Sequence, residues 1–327
     1  MYKINLFFTI LIAIFLGIGC NPGSNVEFIQ KENQIDVLVE GQLITSYLHG
    51  NDLLKPCLYP VKTLSGEVVT RAYPFKEIEG ESTDHPHHTG AYFTYGSKGE
   101  VNGDHFWNMH DIPPQIKHIE VLETGTGKNV GKVTTVSHWI SSENKPVLEE
   151  KREMEFEVME DGYHIDFTIE LKALDTAVTF EDTKEGMFAI RVADWLAEDA
   201  RGTLYESTGS YMNAEGDETE ENIWGKRSPW VRLEGNKEDK TIGIAIFHHP
   251  ESVNFPTYWH ARGYGCFAAN PIGQFDFQKG RGLEAPEKRT LTIQPGEKAV
   301  FKFRMTIYEG SKSKEQLTGE FEDYSAV

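Results

Sequence analysis

The stretch Met154-Glu-Phe156-Glu-Val158-Met-Glu-Asp161-Gly162-Tyr-His-Ile165-Asp-Phe167-Thr-Ile169-Glu-Leu171 decides the fold. Apolar side chains at 154, 156 and 158 alternate with glutamates, and those at 165, 167, 169 and 171 alternate with polar residues. Period-two alternation puts one set on a buried face and the other in water. Asp161-Gly162 between the runs is a hairpin turn, so two half-buried antiparallel strands are expected. The same pattern returns near the C-terminus. Ala299, Phe301, Phe303, Met305 and Ile307 alternate with Val300, Lys302, Arg304 and Thr306 after a Pro295-Gly296 turn. Similar runs cover about 35–48, 130–140, 187–195 and 241–248. Helical period is scarce, and only about 313–326 suits a short, charged helix. Many strands joined by short turns predict an all-β protein, a large antiparallel β-sandwich with few short helices.

The chain has 327 residues, with 39% hydrophobic and 25% charged. That composition is globular and long enough for a substantial core. Lys plus Arg is 32 against 51 Asp plus Glu, a formal net charge of −19. A nucleic-acid partner is not expected, because such binders draw affinity from basic surface. Five acidic residues crowd the seven positions from Glu215 to Glu221, the pattern of a solvated loop.

The N-terminus carries Lys3, an apolar run of 11 residues from Leu6 to Leu16, then Gly17-Ile18-Gly19-Cys20. This is the pattern of a signal peptide over 1–19. Small residues before a cysteine suggest that Cys20 is lipidated. The expected product is an exported periplasmic or outer-membrane lipoprotein, held to a membrane only by its lipid anchor. Its expected layout is a tether over 20–34, one sandwich domain over 35–310 and a tail over 311–327. No second long apolar run follows, so membrane-embedded chemistry is not expected. Cys57 and Cys266 remain, and two buried thiols are the simpler expectation than a staple.

Histidine carries the chemical signal. Of 12 histidines, three fall in Asp84-His85-Pro86-His87-His88-Thr89-Gly90. Val101-Asn102-Gly103-Asp104-His105-Phe106-Trp107 follows closely, and His248-His249 and Tyr258-Trp259-His260-Ala261-Arg262 come far downstream. A sandwich can bring these runs onto one face. Imidazole, with an ordinary pKa near 6.5, suits proton transfer at neutral pH. His87, His88, His249 and His260, with Glu185 as a carboxylate, are the candidate catalytic groups. Imidazole is also a common metal ligand. On that alternative, His85, His87 and His249 with Asp84 or Asp104 would hold a divalent metal; on the acid/base reading no cofactor is needed.

Aromatic rings in polar segments suit the apolar face of a sugar ring, and neighbouring polar groups suit its hydroxyls. Trp107 and Trp259 are the candidate stacking platforms. Asn102, Asp104, Arg262 and Asn270 are candidate hydroxyl ligands. Arg71 and Arg191 join them, because Arg191 lies in the apolar run Phe-Ala-Ile-Arg-Val-Ala and a buried guanidinium needs a carboxylate or an anionic ligand. Glu185, just before that run, is the candidate partner.

Arg71-Ala-Tyr-Pro, His85-Pro-His-His-Thr-Gly, Val101-Asn-Gly-Asp-His-Phe-Trp, Glu185-Gly…Arg191 and Tyr264-Gly-Cys-Phe-Ala-Ala-Asn270-Pro271 together resemble the bacterial family labelled methane oxygenase PmoA, a domain of unknown function. The resemblance spans about 35–310, with Ala72 where the family often has Pro. It implies a setting of sugar catabolism; the single apolar run does not suit true methane oxidation. The order of the histidine motifs also resembles the aldose-epimerase, mutarotase-like sandwich. That implies a His87 or His88 in the first catalytic position and a His249 or His260 in the second. The expected function is proton chemistry on a sugar or glycoside: mutarotation, epimerisation, hydrolysis or β-elimination. The expected partner is a carbohydrate small molecule or oligosaccharide. A non-catalytic sugar-binding lipoprotein is the other alternative.

Overall fold

The structure, a computed structural model, describes residues 24–327; the signal-like run and Cys20 lie outside the described residues. The hairpin forms as its alternation requires. Strand Pro146–Val158 pairs with Gly162–Ala173, with Tyr163 opposite Val158 and Phe167 opposite Met154. Strand Lys298–Glu309 pairs along the other edge of Gly162–Ala173, with Phe303 opposite Phe167. Gly162 admits no side chain there, since a Cβ would lie 2.0 Å from the Ile307 carbonyl oxygen.

These three strands are central in an eight-stranded antiparallel sheet. Its spatial order is Ser210–Asn213, Trp230–Lys237, Lys240–His248, Lys298–Glu309, Gly162–Ala173, Pro146–Val158, Val130–Ile140 and Gln115–Gly125. A ten-stranded sheet packs against it in the order Arg227–Ser228, Thr257–Ala261, Cys266–Asn270, Gly186–Arg191, Ala91–Tyr95, Cys57–Leu58, Gln42–Leu48, Gln34–Val39, Asn25–Gln30 and Gly127–Lys128. Val178–Phe180 and Leu291–Ile293 form a small separate pair. The expected antiparallel β-sandwich is therefore present, with helices confined to Asp194–Leu196, Thr219–Ile223, Phe275–Gly280 and Lys314–Ser325 among the described residues.

Aromatic side chains from both inner faces interlock. Phe188 of the ten-stranded sheet stacks on Phe303 at 4.7 Å and meets Phe167 at 4.7 Å. Phe93 meets Phe301 at 5.5 Å. Each such side chain contributes about 1.5–3 kcal/mol by leaving water. This core fixes the phase of every strand in the ten-stranded sheet. Phe93, Phe188, Phe267 and Trp259 point inward, so Tyr92, Ala189, Arg191, Cys266, Ala268 and His260 must point outward.

Both segments flanking 35–310 carry regular elements. The tether over 20–34 contributes strand Asn25–Gln30, paired with Gln34–Val39. The tail over 311–327 contains helix Lys314–Ser325, which covers the outer face of the eight-stranded sheet. Leu317 and Tyr324 are buried there against Trp230, Phe247 and Tyr308.

Candidate functional site

The outer face of the ten-stranded sheet carries the site. Its floor is Tyr92, Ala189, Cys266 and Ala268, with Trp107 buried beside them. Trp107 arrives because Phe106 and Trp107 hydrogen-bond to the Tyr95 and Gly96 carbonyls, sending Phe106 into the core and Trp107 outward.

The His-Pro-His-His run is a turn above this floor. His85 has φ of 44°, and the His88 N–H donates to the His85 carbonyl at 3.0 Å. Gly90 ends the turn at φ 61°, where a Cβ would meet the Leu58 carbonyl oxygen at 2.2 Å. Only glycine fits both the left-handed backbone and that close approach. Two buried cations hold the turn's carbonyls. Lys55 Nζ donates to the His87 oxygen at 2.7 Å, and Arg71 Nη2 donates to the His85 oxygen at 2.9 Å.

His85, His87, His88, Trp107, Glu185, His260, Arg262 and Tyr264 line one cavity of about 500 Å³. The rings are closely arranged. His85 stacks on His88 at 4.8 Å and on Tyr264 at 5.2 Å, and His88 meets Trp107 edge-on at 5.5 Å. Buried polar atoms accumulate here. Among its lining residues, His87 Nδ1, His88 Nδ1, His260 Nδ1 and Asn108 Oδ1 have no hydrogen-bond partner among the described residues. Leaving such groups unpaired costs about 1–3 kcal/mol each, so a concentration of them in a cavity wall points to a polar ligand.

The electrostatics set what the imidazoles can do. Burial, then the charge of Lys55, pushes His87 down to about 3. Burial drives His88 well below its ordinary value, assisted by the neighbouring His87 and Arg191. His260 shifts the same way, by burial and then the charges of Lys184 and Arg262. These three rings are neutral at pH 7, so each presents one N–H donor and one acceptor nitrogen. Burial moves the Tyr264 phenol upward, so it stays protonated. Burial also lowers Lys55 to about 8 and raises Cys57 to about 11 and Cys266 to about 12. Both cysteines are free, buried thiols.

Arg71 and Arg191 find a partner, but it is Asp84 and not the expected Glu185. Arg71 Nη1 and Arg191 Nη2 donate to Asp84 Oδ1 at 2.5 and 2.8 Å, and His85 Nδ1 lies 2.7 Å from Oδ2. Burial pushes the Asp84 carboxyl up, but the bond from His85 and the two guanidinium charges outweigh it and hold it well below the usual range. Glu185 is instead ion-paired with Lys184. Arg191 also lies over the Tyr264 ring at 4.8 Å.

Five expected site residues lie elsewhere. Trp259 points into the core and donates its Nε1 proton to the Ser228 carbonyl, because its neighbour His260 takes the outward position. It is no stacking platform. Asn102 ties a loop to Ala177 and Thr179, and Asp104 accepts from the Ser142 N–H. Asn270 is buried and fully engaged with Thr183, Ile272 and Gly273. His249 lies on the outer face of the other sheet, edge-on to Tyr324 at 4.9 Å. The trio His85, His87 and His249 is therefore not assembled. Among the described residues no three His, Cys, Asp or Glu side chains are arranged to hold a metal ion.

Tyr264 and Lys55 were not expected at the site. Tyr264 sits at even spacing from Cys266 and Ala268, which share its face. Lys55 stands in Leu-Lys-Pro-Cys-Leu, an apolar setting of the kind that singled out Arg191.

Solved structures of similar shape include a glycoside hydrolase family 97 enzyme in complex with acarbose from Pseudoalteromonas sp. strain K8. It is 10% identical with a TM-score of 0.41, and the match covers 81% of this chain but 34% of that one. The chain thus spans about a third of that enzyme's length. A putative aldose 1-epimerase from Escherichia coli K12 is 9% identical, with 89% and 100% of the two chains covered and a TM-score of 0.32. An aldose epimerase homologue from C. elegans is 10% identical, with 88% and 100% covered and a TM-score of 0.34. No curated protein matches the chain. A family model described as a family of unknown function, DUF6807, matches residues 34–322, and the chain belongs to that family.

Proposed function

We propose that the cavity on the ten-stranded sheet binds a sugar and moves protons on it. The observation that carries this reading is the convergence of two buried imidazoles, His88 and His260, and the half-buried His87, all neutral and with unpaired Nδ1 atoms, on a cavity also lined by Trp107 and Tyr264. A sugar ring offers alternating donors and acceptors to such a wall and an apolar face to its aromatic rings.

The protonation states divide the labour. His88 lines the cavity with an unpaired ring nitrogen, and we assign it as the base that takes a proton from a sugar hydroxyl. The Tyr264 phenol, held protonated, gives a proton to a ring or leaving oxygen. His260 and Glu185 border the same cavity and can orient the hydroxyls. A neutral imidazole and a protonated phenol on one cavity supply the lone pair and the proton that paired acid/base work uses. The reaction class is mutarotation, epimerisation or elimination, not methane oxidation. We place the protein outside the cytoplasm as a lipoprotein, on the strength of the N-terminal run and Cys20.

The test is turnover of a panel of reducing sugars and glycosides by the wild type and by His88→Ala and His88→Gln. Turnover should vanish in both variants with the circular dichroism spectrum unchanged. Undiminished turnover in His88→Ala would remove the imidazole from the mechanism. Sugar binding without any wild-type turnover would leave a binding protein.

A further inference from the structure

The imidazole cavity does not end at Tyr264. A second cavity of about 430 Å³ is also lined by Tyr264 and Arg262. A third, of about 750 Å³, shares Asp199, Arg201, Glu220 and Arg262 with the second. Arg262 borders all three. Each lobe alone falls within the roughly 300–1,000 Å³ of a small-molecule site.

The partition is built, not incidental. Arg262 sits in the turn between strands Thr257–Ala261 and Cys266–Asn270, and its N–H donates to the Cys266 carbonyl at 2.8 Å. Glu220 holds it from the side, with Oε1 2.9 Å from Nε and Oε2 accepting the Gly263 N–H at 2.8 Å. Its guanidinium lies between two rings, 5.6 Å from Tyr264 and 6.0 Å from Trp224. Trp224 lines the third lobe, and its indole N–H is buried without a partner among the described residues. Arg191, 1% exposed, lines the second lobe with its Nη1 and Nε unpaired. Unpaired polar atoms therefore occur in all three lobes, beside aromatic rings in the first and third.

We infer that the three lobes form one cleft for an oligosaccharide, with the reacting unit in the imidazole lobe, the next unit beside Arg191 and a further unit on Trp224. This rests on the sugar reading above and deepens it: the substrate is a chain of at least two units, and Arg262 marks the junction between them. Acidic and basic groups are mixed in the outer lobes, with Asp199 and Glu220 beside Arg201 and Arg262, which suits hydroxyls better than a strongly charged ligand.

The experiment is calorimetric titration of the full chain with glucose, galactose, mannose and xylose, each beside its β-1,4-linked dimer and trimer. Affinity should rise about tenfold or more from monomer to trimer in the series that binds. Trp224→Ala and Arg201→Ala should return the trimer towards the monomer's affinity and leave the monomer unchanged. Arg201 is 88% exposed, so its loss cannot unfold the protein and keeps the test informative if Trp224→Ala misfolds. Trp224→Phe should restore trimer binding in part. A monomer that binds as tightly as its trimer, or a trimer indifferent to both alanine variants, overturns the extended cleft and leaves the sugar reading standing. No binding by any member overturns both.

Discussion

Asp84 shows how one carboxylate organises the site. It accepts from Arg71 and Arg191 and binds His85, so its one charge is shared by two buried guanidiniums while it steers an imidazole. Asp84→Asn keeps the shape and removes the charge. Removing one partner of a fully buried pair costs about 3–5 kcal/mol. Asp84 is 43% exposed, so water replaces part of the interaction and a loss of about 2 kcal/mol is expected at pH 7. The sign of the pH dependence follows from its depressed pKa. The ionised carboxylate stabilises the fold fully above the unfolded value near 3.9, and that share declines as pH falls below it towards the folded value. Urea titrations of wild type and variant at pH 7 and pH 2.5 should therefore show a smaller difference at the lower pH; an equal difference would mean the charge is not what Asp84 contributes. The need for this partner was legible in Arg191, whose apolar run demanded a carboxylate. Which carboxylate answered was not, because Asp84 lies 107 positions away and only the sheet brings it near.

At the scale of elements, alternation told which residues share a face but not which face is inside. His260 and Trp259 are neighbours, and one of them had to turn inward. The aromatic interlock across the sandwich chose Trp259, which meets Phe267 at 5.7 Å in the core. The central hairpin and the strand beyond Pro295-Gly296 were legible in full, since their polar sets exclude one face from the core. The His85–Gly90 turn was legible as a cluster, while its cradle by Lys55 and Arg71 depends on residues distant in the chain. The C-terminal helix was visible as a charged, weakly periodic stretch, but its docking was not. Its start is well defined: Ser313 Oγ accepts from the Gln316 N–H, and the Gln316 side chain accepts from the Ser313 N–H. Ser313→Ala breaks this capping box and should cost about 1 kcal/mol. Chemical denaturation checks it, and Ser313→Asp, which can still cap, should recover most of the loss. An unchanged midpoint in Ser313→Ala would mean that Leu317 and Tyr324 alone hold the helix on the sheet.

Across the whole molecule, burying neutral imidazoles ties the fold to pH. His248 is fully buried between Phe255 at 5.7 Å and Phe303 at 5.3 Å, and neither ring nitrogen has a partner among the described residues. Burial, then the charges of Arg227 and His249, lowers it to about 3. His87, on the opposite side of the sandwich, is lowered to about 3 as well. Such a group binds a proton in the unfolded chain near pH 6.5 but in the folded chain only near 3. Stability is complete above about pH 6.5 and declines as pH falls through the window to about 3. The carboxylates add their own losses only lower in that range, so the first part of the decline belongs to the histidines. His87 faces the cavity and cannot be replaced without touching the site; His248 can. His248→Phe fills the same aromatic slot, removes two unpaired polar atoms and abolishes that site's titration. Its melting temperature should exceed the wild type's at pH 5 by more than at pH 7.5, with sugar binding at pH 7.5 unaltered. A variant whose melting temperature tracks the wild type in parallel from pH 7.5 to 5 would place the acid sensitivity elsewhere. Raised resistance to acid without altered binding would locate the pH dependence of stability in the core and separate it from any pH dependence of turnover at His88.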